Sequence, residues 1–282
     1  MDFKPQDFVH YLLAAAGAFP LDKPGVFLIS EEDGDLIEKL WTGTEIADQV
    51  LVATDVRENT PALYLLGDDE RSLFFVNKEN VLQRCRYDPD EEVWDEVSLD
   101  DNFTVHLSGQ LSGCLSPWGG IVILEGPEKS LRAYRTTGEE KLESLPPIPA
   151  GLEPGTPHQA VLSGDNAVNL LYVHCDGYIY HLVAEGPEFG EWKDKGIRFP
   201  YPSDNRSGKI VNFIVTPQED GTLEPFVLMS GGMLAQIKSN GLITELGTVT
   251  QGQFTAHVSE ECGIELARCI KKGIKAVGGR RE

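Results

Sequence analysis

Five times along the chain, a short apolar run is followed by a tight turn, a second run and then a third strand. The clearest copy is Val168–Val173, the turn Cys175-Asp176-Gly177, the run Tyr178–Leu182 and then Gly190–Lys193. The others begin at Gly25, Ser72, Gly120 and Pro225. Counted from Gly25, Ser72, Gly120, Asn169 and Pro225, the pattern recurs at intervals of 47, 48, 49 and 56 residues. Four-stranded propeller blades repeat at about 40–50 residues. The turn dipeptides Asp33-Gly34, Glu79-Asn80 and Gly231-Gly232 suit hairpins that need positive φ. The longer last interval has room for a turn-rich insertion at 216–221. The pattern predicts an all-β, five-bladed propeller of four-stranded blades, with six blades as the alternative.

Each later copy is preceded by a candidate innermost strand: Ala62–Leu66, Cys114–Pro117, Gln159–Ser163 and Ile210–Val215. The first copy has none, and an unpaired strand remains at Phe254–Val258. The expectation is that residues 254–258 complete the first blade, which joins the chain ends and leaves no open edge. The propeller then spans 25–260, after an N-terminal extension of 1–24 and before a C-terminal helix and basic tail of 261–282. Near the start, Phe8–Ala16 has the length of a signal-peptide core, but Asp2 and Asp7 oppose the positive flank such a peptide needs. A short helix capped by Asp7 and ended by Gly17 is the reading preferred.

A net charge of −21 repels phosphate backbones and anionic membranes, so neither nucleic acid nor membrane is an expected partner. No segment reaches the ~18 apolar residues of a membrane span. The 5 cysteines are widely spaced, which suits free thiols in a reducing, cytoplasmic compartment better than a disulfide scaffold, with secretion as the alternative. There is no metal-binding spacing, phosphate cradle or Gly-x-Ser-x-Gly elbow, so no cofactor or metal is expected. Asn102-Phe103-Thr104 and Asn205-Arg206-Ser207 match the N-glycosylation pattern, which matters only in a secreted chain.

The strand periodicity, the Asp-Gly-type turns and the tryptophans near the outer strands, Trp94 and Trp192, resemble the fungal lectin propellers, the six-bladed fucose-binding mushroom lectins. The resemblance implies a sugar gripped by an Arg at the start of the second strand, a Glu on the third and an aromatic from the next blade. The Arg position falls here on Gly25, Ser72, Gly120, Asn169 and Pro225. The Glu position falls on Glu38, Arg84, Ala133, His181 and Gln236. Equivalent sugar sites in every blade are therefore not expected. Blades this dissimilar point to one asymmetric site, most naturally in the central channel or its mouth.

Lectin-like propellers are also similar to fungal biosynthetic proteins of secondary metabolism that fold a reactive substrate for cyclisation, including hetero-Diels–Alder reactions. That analogy implies a cofactor-independent cyclase holding a small apolar substrate in the channel. One or two donors would polarise a carbonyl. The candidate polar groups are His257, His158, Asn212 and Tyr64. Trp118, Cys114, His174 and Asp176 are the candidate substrate contacts. The alternatives are a divergent lectin, with its site nearest Glu38, and a protein-interaction propeller.

Overall fold

A computed structural model describes residues 5–18, 25–67, 71–138, 140–164, 166–186, 189–200, 208–218 and 221–257. Among these residues a single helix, α1 (Pro5–Leu13), precedes 21 strands grouped into five antiparallel sheets. The first blade is β1 (Ala16–Ala18), β2 (Val26–Glu32), β3 (Asp35–Trp41) and β4 (Ile46–Ala53). The second is β5 (Ala62–Leu66), β6 (Arg71–Val76), β7 (Leu82–Asp88) and β8 (Val93–Val97). The third is β9 (Leu111–Ser116), β10 (Gly119–Glu125), β11 (Leu131–Thr136) and β12 (Leu142–Ser144). The fourth is β13 (His158–Leu162), β14 (Val168–Val173), β15 (Tyr178–Ala184) and β16 (Lys193–Pro200). The fifth carries an extra outer strand: β17 (Ile210–Pro217), β18 (Leu223–Met229), β19 (Met233–Ile237), β20 (Ile243–Thr250) and β21 (Gln253–Ala256).

The five-bladed architecture expected from the repeat is the one observed. The hairpin turn at Asp33-Gly34 has φ values of 55 and 88°, the positive values that the Asp-Gly dipeptide accommodates. The second strand of each blade is apolar on both faces, because each face packs against a neighbouring blade. All six residues of β14 are buried. The core is accordingly split into clusters between adjacent blades. Ile29, Leu73 and Phe75 lie between the first and second. Phe74, Val122 and Leu124 lie between the second and third. Ile123, Leu170 and Trp192 lie between the third and fourth, and Leu171, Phe213 and Val227 between the fourth and fifth.

The ring closes differently from the expectation. Gln253–Ala256 pairs with β20 and so widens the fifth blade; it does not complete the first. The innermost strand of the first blade is Ala16–Ala18, which pairs with Phe27–Ile29. The short Ala-Gly-Ala segment carries no strong strand signal, which is why the later, more apolar segment looked like the closing strand. Between the fifth and first blades, Val9 and Leu12 of α1 pack with Val26, Leu28, Ile214, Phe226 and Leu228. Asp7 falls inside α1 and not before it, so it is not the helix's cap, and the helix ends before Gly17, which lies in β1. The C-terminal helix, the basic tail and Cys262 and Cys269 fall outside the described residues. Among those described, no helix is long and apolar enough to cross a membrane.

Candidate functional site

The innermost strands surround a central cavity of about 100 Å³, lined by Tyr64, Ser112, His158, Gln159 and Asn212 together with the end of α1. Since a water occupies about 30 Å³, this space suits about three waters. Small-molecule pockets are typically about 300–1,000 Å³. Gly113 of β9 also lines the cavity, and only glycine fits there: a Cβ would stand 2.0 Å from the Ile121 carbonyl oxygen of the adjacent strand and 2.6 Å from Leu63 of the second blade.

His158 is buried and its Nδ1 lies 2.6 Å from Ser112 Oγ. Its Nε2 is buried with no protein partner, and burial pushes the imidazole down to about 4, so it is neutral at pH 7. Asn212 is committed to closure: its Nδ2 donates to the Leu12 carbonyl at 3.0 Å, holding the end of α1. The other expected residues are not brought to the channel. His257 follows the outermost strand, not an innermost one, and is solvent-exposed with Nε2 2.7 Å from Thr248 Oγ1. Cys114 is buried in the core between the third and fourth blades, where burial pushes its thiol up to about 12. Trp118 packs on that core, edge-on to Phe189 at 5.7 Å. His174 and Asp176 serve their own hairpin. The His174 ring stacks on Tyr180 at 4.1 Å, and the Tyr180 hydroxyl donates to Asp176 at 2.5 Å.

The charged constellation of this molecule lies instead between the first and second blades. Glu38 of β3 faces the second blade and is 3% exposed. Arg71, the first residue of β6, pairs with its carboxylate. The Tyr64 hydroxyl donates to the same carboxylate and accepts from Arg71 Nε at 2.7 Å. Burial pushes the Glu38 carboxyl above its ordinary range, against the pull of Arg71, Tyr64 and Trp94. The Arg71 guanidinium lies over Tyr87 at 3.8 Å, Phe27 at 4.4 Å and Trp94 at 5.3 Å. The indole Nε1 of Trp94 is buried without a well-aligned partner. A carboxylate and a guanidinium among aromatic rings are the group types that hold vicinal hydroxyls and cover an apolar sugar face; here they are bonded to one another, and Arg71 is the more exposed of the two, its side chain at 18% against 4% for that of Glu38.

Strand register shows why this site is unique in the ring. Glu38, Arg84, Ala133, His181 and Gln236 do form one column, opposite Ile29, Phe74, Ile123, Leu171 and Phe226. The residues equivalent to Arg71 are Val26, Gly120, Val168 and Leu223. Those equivalent to Tyr64 are Gly17, Gly113, Ala160 and Val215. The sequence alignment placed the second-strand position on Ser72, one residue late. That slip turns the side chain to the opposite face of the blade, so Arg71 was passed over. Ser72 instead accepts from Arg84 at 3.1 Å, towards the third blade. Glu125 was also missed: it is fully buried, accepts from the Gly155 N–H at 2.9 Å, and burial pushes it up to about 7.

No protein-family model matches the sequence, and no curated protein matches it. Solved structures do. AofleA from Arthrobotrys oligospora aligns over 86% of this chain and 74% of its own, with 15% identity and a TM-score of 0.66. The fucose-specific lectin from Aleuria aurantia aligns over 80% of this chain and 73% of its own, at 16% identity and a TM-score of 0.56. This chain has the fold of the fungal lectin propellers. SapL1 lectin, solved in complex with alpha methyl fucoside, aligns over 82% of this chain and 78% of its own at 12% identity, with a TM-score of 0.59. The Aleuria protein is described as six-bladed, whereas five blades and α1 make up the ring here. Identity at this level carries the fold and leaves the chemistry to the site itself.

Proposed function

We propose that this protein is a carbohydrate-binding propeller with one principal site, between the first and second blades, and not a multivalent lectin. The observation that carries the reading is the Glu38–Arg71 pair, tied by Tyr64 and flanked by Tyr87 and Trp94. Its charged groups are of the types that hold ring hydroxyls, and the equivalent positions elsewhere in the ring lack both Arg and Tyr. A single site forgoes the avidity that repeated sites give, so affinity for a monovalent sugar and for a clustered one should differ little. A fucoside is the first probe, because two of the structurally similar proteins are described by it.

A cofactor-independent cyclase acting in the central channel is the reading less favoured. An apolar substrate would have to displace the innermost strands from around a cavity of about 100 Å³ lined by His158, Gln159 and Asn212. The deciding test is a glycan array followed by calorimetry on the wild type, Glu38→Gln and Arg71→Lys. Glu38→Gln keeps the size of the side chain, Arg71→Lys keeps the charge but loses the planar fork that bonds Tyr64 and Glu38 and stacks on the rings, and circular dichroism checks the fold. Binding to a defined glycan, weakened at least tenfold by either change, supports the proposal. Arrays that stay blank, or binding unaffected by both changes, would sink it and turn attention to cyclisation substrates and protein partners.

A further inference from the structure

Among the described residues, Glu125 is the buried carboxyl that the Glu38–Arg71 site does not use; it ends β10 and is 0% exposed. It stands where two chain segments enter innermost strands. Residues 106–110 lead into β9, and residues 151–157 lead into β13. Glu125 Oε1 accepts from the Gln110 N–H at 3.4 Å and Oε2 from the Gly155 N–H at 2.9 Å, so one carboxyl bridges both segments. Its own carbonyl accepts from the His106 N–H at 2.8 Å. The segments also meet each other: Gly155 has a φ of 82°, and a Cβ there would stand 2.9 Å from the Ser108 carbonyl oxygen. Arg57, between β4 and β5, donates to the His106 carbonyl at 3.1 Å and to the Gly109 carbonyl at 3.2 Å. Leu107, inside this turn, is 74% exposed, so polar bonds hold the turn and burial of its apolar side chain does not.

Both segments border the central cavity. Gln110 and Pro157 line one end of it, and Ser112 and His158 follow just inside. A buried carboxyl at this junction is favoured without its charge, because ionisation there forfeits hydration. Burial pushes Glu125 up to about 7, against the two N–H groups and the charge of Arg57. The other charged or titratable groups on the surrounding elements are Glu58, His106, Glu128, Lys129, Arg132 and Glu153, which reach solvent, and the buried His158, which is neutral at pH 7. The closed arrangement therefore holds the proton more tightly than any arrangement in which water reaches the carboxyl. Its contribution to closure is complete below the ordinary carboxylate value of 4.5 and is lost as pH rises through about 7.

We propose that Glu125 is a proton-linked latch: in its neutral form it closes this end of the central cavity, and on ionisation it releases the 106–110 and 151–157 segments and opens a path to Ser112 and His158. The latch uses neither Glu38 nor Arg71 and stands apart from the sugar site. The experiment is amide hydrogen exchange on the full chain at about pH 5.5 and about pH 8, corrected for intrinsic rates, in the wild type and in Glu125→Gln. In the wild type the carboxyl carbon shift of Glu125 is followed across the same range. Protection at Gln110, Gly155 and their neighbours should fall about tenfold or more from the lower to the higher pH, while β10 and β14 keep theirs. Glu125→Gln should show no such fall. Protection that does not change with pH, that falls as steeply in Glu125→Gln, or that falls equally through all the blades would overturn the latch. So would a Glu125 carboxyl that titrates in the ordinary carboxylate range, a readout that needs no variant to fold.

Discussion

Glu38 and His181 occupy the same position in the third strands of the first and fourth blades, each facing the next blade and each 3–5% exposed. Glu38 meets charge from the neighbouring blade, where Arg71 and Tyr64 close around it. His181 stays within its own blade: Nε2 lies 2.8 Å from Asn169 Oδ1, and Nδ1 is buried without a partner. The contrast teaches that the column position dictates burial in both blades, while the group that meets the buried side chain comes from the next blade for Glu38 and from its own blade for His181. Where the neighbour offers Arg71, a carboxylate survives. Where it offers Leu223 the column holds the imidazole of His181, and where it offers Val168 the methyl of Ala133; beside Gly120 the buried guanidinium of Arg84 is met by Ser72 of its own blade and by the Gly138 carbonyl.

The largest effect should come from breaking the charged side of this comparison. Arg71→Ala leaves the Glu38 carboxylate buried without its cation and should cost about 3–5 kcal/mol in denaturant unfolding. Replacing both residues by Glu38→Leu and Arg71→Met should recover most of that loss. A single-variant cost below about 1 kcal/mol would mean that the pair is solvated, as surface pairs are.

The neutral side should respond to pH with a definite sign. Burial lowers His181 to about 4, below the value near 6.5 of an unfolded histidine. The unfolded chain therefore binds more protons in that interval. The contribution of His181 is complete above about pH 6.5 and is lost as pH falls towards 4, by at most about 3 kcal/mol. His158 is lowered to about 4 as well, and Glu125, pushed up to about 7, acts in the opposite direction over much of the same interval, so His181→Gln should lower the acid-side slope in unfolding free energy by up to one proton relative to the wild type. Glu38 runs the opposite way. Its raised value makes its contribution complete below the ordinary carboxylate range and lost as pH rises. Unfolding curves for His181→Gln that keep the full acid slope would show that this interface admits water.

The smallest effect concerns the closure between the fifth and first blades, which depends on neither device. Asn212→Ala removes the hydrogen bond to the Leu12 carbonyl and should cost about 1 kcal/mol. Amide exchange should speed up along α1 and β1 while the blade 1–blade 2 interface stays protected. Equal loosening of both interfaces would show that ring closure, and not the local pair, holds Glu38 in place.

Much of the fold was legible in the chain because a repeated hairpin is a local signal. Asp33-Gly34 and the short apolar run of β14 report their own geometry without help from distant residues. The column Glu38, Arg84, Ala133, His181 and Gln236 was also legible, since third strands follow their turns at fixed spacing. Closure was not. Ala16–Ala18 is a strand because Phe27–Ile29 lies beside it, and nothing in Ala-Gly-Ala announces that. His257 was placed on an inner wall for the same reason: its strand was assigned to the wrong blade, so an exposed side chain looked like a channel group.

The amino-acid sequence by itself determined the blade repeat, the turns and the chemical inequality of the blades, because these rest on periodicity and on contacts a few residues apart; five blades against six depended on how the ring closes. Only the tertiary structure decided where the inequality matters. Arg71 and Glu38 are 33 positions apart, and they meet through the packing of two separate sheets. A register change of one residue would turn either side chain to the other face. Local patterns tolerate that slip without penalty, and inter-blade packing does not.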